Sequence, residues 1–227
     1  MPINIVSKDE LYKVTIDKIL KVDVVLDIGC GINPQNYLVP FVHICCEPFE
    51  EYVEVLQNKI NCSSDRKYIV LKAGWADAVE LFPKKSVDTV FLVDVIEHLE
   101  KEAGLRLLKA TEAIAKRQIV VFTPLGFMPQ HHPNGIDAWG LKGANWQEHR
   151  SGWMPEDFDD SWDLLISEDF HAVDNMGNKL ETPFGTIRAI KTINVRDDNQ
   201  VMALSKRRKL HKLLDNVLDL WSTWRFK

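Results

Sequence analysis

The chain has 227 residues, which suits one ordinary domain with a short appendage. Hydrophobic residues make up 45% and charged residues 27%, which excludes a disordered, collagen-like or low-complexity protein. The net charge is −5, but Ser205–Lys227 carries seven Lys/Arg against two Asp/Glu, so the tail holds +5 and the remainder −10. An acidic body argues against a nucleic-acid surface.

The N-terminal MPINIVSKDELYK has no apolar signal core, and no apolar run approaches the roughly 18 residues of a membrane span. A cytoplasmic location is therefore expected. Cys30, Cys45, Cys46 and Cys62 form no C-x-x-C pair, so a zinc ribbon is not expected. Cys45 and Cys46 sit in an apolar run and read as buried thiols.

In chain order, Val22–Ile28 reads as a buried strand, and Gly29–Pro34 as a turn that opens a helix. Phe41–Cys46 is a second strand. Phe49–Ile60 follows as a helix, with Val53, Leu56 and Ile60 at spacings of three and four. Tyr68–Leu71 and Val87–Val93 are the third and fourth strands. Lys101–Ala115 is a helix with Leu107, Ala110 and Ile114 on one face. Gln118–Phe122 is the fifth strand. Strands alternating with helices imply βαβ units and a mostly parallel sheet covered on both faces.

Residues 125–155 break this period. They are rich in Gly, Pro, His, Asn and Trp, as a functional loop or insertion would be. Pro155 and the acids after it predict a short helix over PEDFDDSWDLL. His171–Asn175 and Thr186–Ile193 read as a hairpin, and Asn199–Trp224 as one or two final helices.

The richest segment is VVLDIGCGINP, a strand followed by a glycine turn. Gly29 and Gly31 allow a sharp bend and close approach of a ligand. Glu47 closes the next strand about twenty positions on, where doubly wound folds place a carboxylate on ribose hydroxyls. A dinucleotide site needs a third glycine where this chain has Pro34, and there is no G-x-x-x-x-G-K-[ST] phosphate loop. Asp27, Asp77 and Asp94 also fall near the carboxyl edge of the sheet. Such carboxylates repel a pyrophosphate but suit a cationic, phosphate-free nucleoside such as S-adenosylmethionine.

At these residues the chain resembles a class I S-adenosylmethionine-dependent methyltransferase. The likeness runs through VVLDIGCGINP, the acid of CCEP, the AD of GWADAVELFP, VDTVFLVDVIEHLE and QIVVFTP, from Val22 to Pro124. It implies a Rossmann-like, doubly wound sheet of seven strands with one antiparallel. A methyltransferase domain would span residues 1–200 with a lid at about 125–155, and a basic amphipathic helix would span 201–227. It implies S-adenosylmethionine as cofactor and S-adenosylhomocysteine as product. Asp27, Gly29, Cys30 and Gly31 would line the methionine and ribose part, and Glu47 would bind the ribose. Ala76 and Asp77 would meet adenine, and Asp94, Val95 and His98 would flank the cofactor. The chain departs from the pattern at Asn33, where many members carry another glycine.

A hydroxyl acceptor benefits from a base titrating near neutrality. His131 and His132 follow the fifth strand, and His149 lies in EHRSGWMPEDF. That run resembles a signature of bacterial methyltransferases associated with surface glycans. The resemblance implies O-methylation of a sugar or polysaccharide precursor. His132 and His149 are candidate bases, His131 a reserve and Glu148 an orienter. Arg150 would clamp the acceptor, and Trp139, Trp146 and Trp153 offer faces for stacking. No H-x-x-x-H or H-E-x-x-H spacing is present, so no metal is expected.

The same motifs leave two rivals: methylation of a small aromatic or amine metabolite, and a cofactor-binding module that regulates or scaffolds a partner. In the tail, Lys206–Lys209 and Lys212 interleave with Leu210, Leu213, Leu214, Val217, Trp221 and Trp224 at helical spacing. Such a helix suits an anionic membrane surface, or docking on the domain, another protein or a second subunit.

Overall fold

The structure, a computed structural model, describes residues 2–61, 65–130 and 132–193. Cys62, His131 and the basic tail lie outside the described residues. The described residues fall within one compact unit, Met1–Ile193.

An eight-stranded sheet organises this unit. Its strands are β1 (Ile3–Ile5), β2 (Val24–Ile28), β3 (Val42–Glu47), β4 (Lys67–Lys72), β5 (Val87–Val93), β6 (Ala115–Pro124), β7 (Asp163–Val173) and β8 (Lys179–Thr192). Their spatial order is β1-β7-β8-β6-β5-β2-β3-β4. Every pairing is parallel except those of β8, which runs antiparallel to both β6 and β7. Seven strands agree in number with the expectation, although β7 starts at Asp163, eight residues before the expected His171, and β1 adds an eighth at the edge beside β7. The order reverses at β2, whose two neighbours are β3 and β5. In such sheets the crevice for ligands opens beyond the carboxyl ends of the strands at that reversal.

Side-chain alternation covers both faces. Leu26, Val90, Leu92, Ile119 and Val121 pack on one side against Leu107, Leu108 and Ile114. The residues between them, Val25, Phe91 and Val120, pack on the other side against Ile19 and Ile190. Helix α1 (Lys8–Lys18) starts at a capping box, in which Ser7 Oγ accepts from the Glu10 amide and the Glu10 carboxylate accepts from the Ser7 amide. Helix α2 (Glu50–Ile60) buries Tyr52, Val53 and Leu56. Helix α3 (Trp75–Leu81) follows β4, and α4 (Lys101–Ile114) buries Gly104, Leu107, Leu108, Thr111 and Ile114, the spacing of a single face. Among the described residues no helix is long and apolar enough to cross a membrane.

Two expectations are corrected. No helix follows the glycine turn: residues 29–41 cross to β3 as irregular chain. Pro34 and Pro40 bias the residues before them away from helical angles. The predicted helix at Pro155 stops after the 3-10 turn Pro155–Asp157. Leu164, Leu165 and Ile166 are all buried in β7 between β1 and β8, so a consecutive apolar run of a buried strand ends the helical start.

Candidate active site

At the carboxyl end of β2 the backbone turns through two left-handed glycines, Gly29 (φ 69°) and Gly31 (φ 55°). Side chains would be strained at both angles, and there is no room for them: a Cβ on Gly31 would lie 2.6 Å from the Trp139 ring. The turn is pinned by Gly29 N–H on the Cys46 carbonyl at 2.8 Å and by Gly31 N–H on Glu47 Oε2 at 2.9 Å. The other Glu47 oxygen accepts from the Phe49 amide at 2.9 Å. Glu47 is buried, and burial outweighs these two donors and pushes its carboxyl up to about 7.

Asp27 has a different task. Its carboxylate accepts from the Gln35 amide at 2.7 Å and meets Nε2 of the buried His43 at 3.1 Å. Burial alone would lower His43, but its hydrogen bonds to Asp27 and Cys45 and the Asp27 charge raise it to about 9. Asp27 therefore braces the 29–41 connection from beneath.

The next strand end supplies a second cluster. Asp94 adopts a left-handed backbone (φ 53°), uncommon for a residue with a side chain. It turns the chain so that Val95 packs where a Gly29 side chain would stand. A 3-10 turn, Ile96–His98, follows. The Asp94 carboxyl opens into the cleft floor; its surface is exposed there, yet the protein packed around it raises it to about 6 against the pull of Arg188. Glu97 is buried, with Oε2 accepting from Thr123 Oγ1 at 3.0 Å and Oε1 without a partner. Burial and then the Asp94 charge push its carboxyl far above the usual range. His98 donates from Nδ1 to the Glu148 carbonyl at 3.2 Å, and burial holds its imidazole down at about 3.

Residues 125–155 form a lid that is stitched to this cluster. The amides of Arg150 and Ser151 both donate to the Glu97 carbonyl, and Ser151 Oγ donates to Ile96 O. Trp153 is fully buried against α4, where a Cβ on Gly104 would lie 2.5 Å from its ring and where Lys101 Nζ stands 3.9 Å above the ring. Farther out, Asp137 accepts from Tyr52 Oη at 2.5 Å and from the amides of Trp139, Leu141 and Gly143. That bond ties the lid to α2.

Two adjoining cavities result. The smaller, about 100 Å³, lies between Gly29, Gly31, Glu47, Gly74, Trp75, Val95 and Trp146. The larger, about 460 Å³, is lined by His98, His149, His171, Gln130, Gln147 and Asn175 among others. Asp94, Gly29 and His98 face both. No Lys or Arg lines either cavity among the described residues. His149 is 8% exposed and donates from Nδ1 to the Met128 carbonyl at 2.6 Å, and burial lowers its pKa. Its Nε2 is left as the unprotonated nitrogen.

Gly29, Cys30, Gly31, Glu47, Asp94, Val95, His98, Trp139, Trp146 and His149 thus line the cavities. Several other candidates do not. The His132 ring spends Nε2 on Gln130 Oε1 and the Gln147 carbonyl, and Nδ1 lies 3.4 Å from Asn175 Nδ2, so it is a lid brace with no free nitrogen for a base. The Glu148 side chain is exposed, and only its carbonyl orients an imidazole, that of His98. Arg150 is exposed and donates to the Asn145 carbonyl rather than facing an acceptor. Trp153 is core, so it has no face for stacking. Ala76 and Asp77 are exposed on α3, where the Asp77 carboxylate caps the Gly74 amide at 3.1 Å; Gly74 and Trp75 take the cavity wall instead.

Sequence reasoning missed Glu97, Tyr52, Asp137 and His171. Glu97 had a signal, since it stands between two quoted candidates in DVIEHLE. His171 had none: it comes from the β7–β8 hairpin and reaches the cavity only through the sheet order.

No family model matches the chain, and no curated protein matches it. Solved structures do. TehB from Haemophilus influenzae aligns at 16% identity over 82% of this chain and 62% of its own, with a TM-score of 0.53. A SAM-dependent methyltransferase from Archaeoglobus fulgidus aligns at 16% identity over 82% and 95%, TM-score 0.48. Magnesium protoporphyrin IX methyltransferase from Synechocystis PCC 6803 with bound SAM aligns at 14% identity over 81% and 77%, TM-score 0.48. This chain spans less than two thirds of TehB, and at such identities the likeness is one of fold. The described residues adopt the mostly parallel, Rossmann-like methyltransferase fold, with a lid closing the carboxyl edge of the sheet.

Proposed function

We propose that the protein is an S-adenosylmethionine-dependent methyltransferase that methylates a hydroxyl oxygen of a sugar or glycan precursor. One observation carries the reading. A left-handed glycine turn and two carboxylates, Glu47 and Asp94, border one cleft whose lining contains no Lys or Arg among the described residues. A phosphate there would meet carboxylates and, among the described residues, no lining guanidinium or ammonium to bind it, Arg188 acting on Asp94 from outside the lining, whereas a sulfonium and ribose hydroxyls find acceptors. The Gly31 cradle, which a Cβ would fill, fits close approach of such a ligand to the main chain.

Bound there, S-adenosylmethionine supplies a methyl group activated by cationic sulfur. The protein's part is to align an acceptor and exclude water. The lid hydrogen bonds at Glu97 and Asp137 hold the cover in place. The Nε2 of His149, unprotonated and facing the larger cavity, takes the acceptor proton. Gln130, Gln147 and Asn175 provide amide donors and acceptors in that cavity. These amides suit a hydroxylated acceptor, and Val93, Met128, Trp139 and Val173 supply the apolar remainder of the wall. Among the described residues no guanidinium or ammonium lines this cavity to pair with an anionic group of the acceptor.

The test uses methyl-labelled S-adenosylmethionine with two acceptor panels, sugars or sugar nucleotides and phenols or amines. Label in the first panel alone is expected, with turnover reduced in His149→Ala far more than cofactor affinity. Label confined to the second panel overturns the acceptor, and full turnover in His149→Ala removes its role.

A further inference from the structure

Glu97, His98 and His149 converge between the two cavities, with one ligand atom from each lying within 4.8 Å of the others. The imidazoles pack with centroids 4.9 Å apart at 59°. Each ring commits Nδ1–H to a main-chain carbonyl, His98 to Glu148 and His149 to Met128. Such a bond fixes the tautomer and leaves Nε2 with a free lone pair, which is how metal-ligating histidines are held. Glu97 is 1% exposed, with Oε2 on Thr123 and Oε1 on nothing. A buried carboxylate oxygen without a donor is costly, and no Lys or Arg side chain is hydrogen-bonded to the side chains of Glu97, His98 or His149 among the described residues. The three residues thus bring one possible ligand atom each into the same small volume, beside the Asp94 carboxyl, whose charge helps keep Glu97 protonated, so a bound cation would displace the Glu97 proton.

We propose that Glu97, His98 and His149 form a divalent-metal site whose remaining coordination positions face the larger cavity. Two imidazoles and a carboxylate suit a first-row transition ion such as Mn²⁺, Co²⁺ or Zn²⁺ better than Ca²⁺ or Mg²⁺, which prefer all-oxygen shells. Three protein ligands leave positions open, as in sites where the ion meets a substrate. An acceptor oxygen from the cavity would complete the shell and become more acidic there. That role rests on the methyl-transfer reading; the binding of the ion does not. With the ion in place the Nε2 of His149 is a ligand and no longer a base, so the acceptor proton would go to the Asp94 carboxylate, which faces both cavities; direct transfer to His149 belongs to the metal-free protein. The sequence hides the site because His149 lies some fifty residues from the other two, and the lid amides on Glu97 O bring them together.

The full chain, stripped with chelator, is titrated with Co²⁺ and followed by visible d–d absorption, with bound metal counted after dialysis. One Co²⁺ per chain is expected, bound about tenfold or more weakly by His98→Ala, His149→Gln and Glu97→Gln. Glu148→Gln, at an exposed neighbour, should bind as the parent does. No Co²⁺ on the parent chain at millimolar concentration overturns the site, whatever the variants do. Equal binding by parent, His98→Ala and His149→Gln does the same. S-adenosylhomocysteine affinity is measured on the same samples. Co²⁺ without the nucleoside retains the metal site and removes the methyltransferase reading, and the nucleoside without Co²⁺ does the reverse.

Discussion

Glu47 directs both carboxylate oxygens at main-chain amides, those of Gly31 and Phe49, and still titrates near 7 because it is buried. Ribose hydroxyls donate hydrogen bonds and so prefer the ionised form. A carboxyl with a raised pKa is protonated below it. Affinity for S-adenosylhomocysteine should therefore rise with pH through about 7 and level off above about 8, falling by up to about tenfold per unit below. Titration calorimetry from about pH 5.5 to about 8.5 checks this, with Glu47→Gln weak and without the step near 7, leaving only the dependence due to Asp94, raised to about 6. At this scale the sequence was legible where backbone demands a residue type. Gly29 and Gly31 stand where φ is positive, and Glu47 ends a strand beside them. It was not legible for Asp27, whose carboxylate is claimed by His43, a partner from the neighbouring strand. Nor did it show that Asp94 itself is left-handed, since only the packing of Val95 on Gly29 makes that conformation pay.

Among the elements, the lid depends most on tertiary packing. Its root is the run Ser151–Phe158. Ser151 bonds back to Ile96, Trp153 fills the space above Gly104, and the Asp157 carboxylate caps the Met154 amide. A run that resembles a family signature thus serves mainly to dock the lid, and His149 at its start is aimed into the cavity by that docking. Trp153→Ala should lower unfolding free energy by about 3–5 kcal/mol, the cost of a large cavity in a core. Denaturant titration measures it. A loss below about 1 kcal/mol would show that Trp153 does not anchor the lid. Among the other elements, the strands and the helices α2 and α4 follow from periodicity, because each buries one face. The start at Pro155 misled because helix-start chemistry covers a single turn, whereas the buried strand beyond it contributes far more apolar area.

For the whole molecule, a ligand that binds only the folded state stabilises it by mass action. S-adenosylhomocysteine at about one hundred times its dissociation constant should add about 2.7 kcal/mol. In a chain of this size that raises the melting temperature by roughly 5–10 °C. Differential scanning fluorimetry reads it, and an unchanged melting point at millimolar ligand would sink the cofactor assignment. The sequence alone determined the parallel sheet, the glycine turn at its carboxyl edge and two of the four expected carboxylates around it, Glu47 and Asp94, because these depend on local backbone geometry and on short-range periodicity. Only the tertiary structure decided which histidines share a cavity, that Trp153 is core rather than a stacking surface, and that Glu97 stands between two imidazoles. Those outcomes depend on segments fifty or more residues apart meeting across the sheet edge, and no spacing along the chain encodes such a meeting.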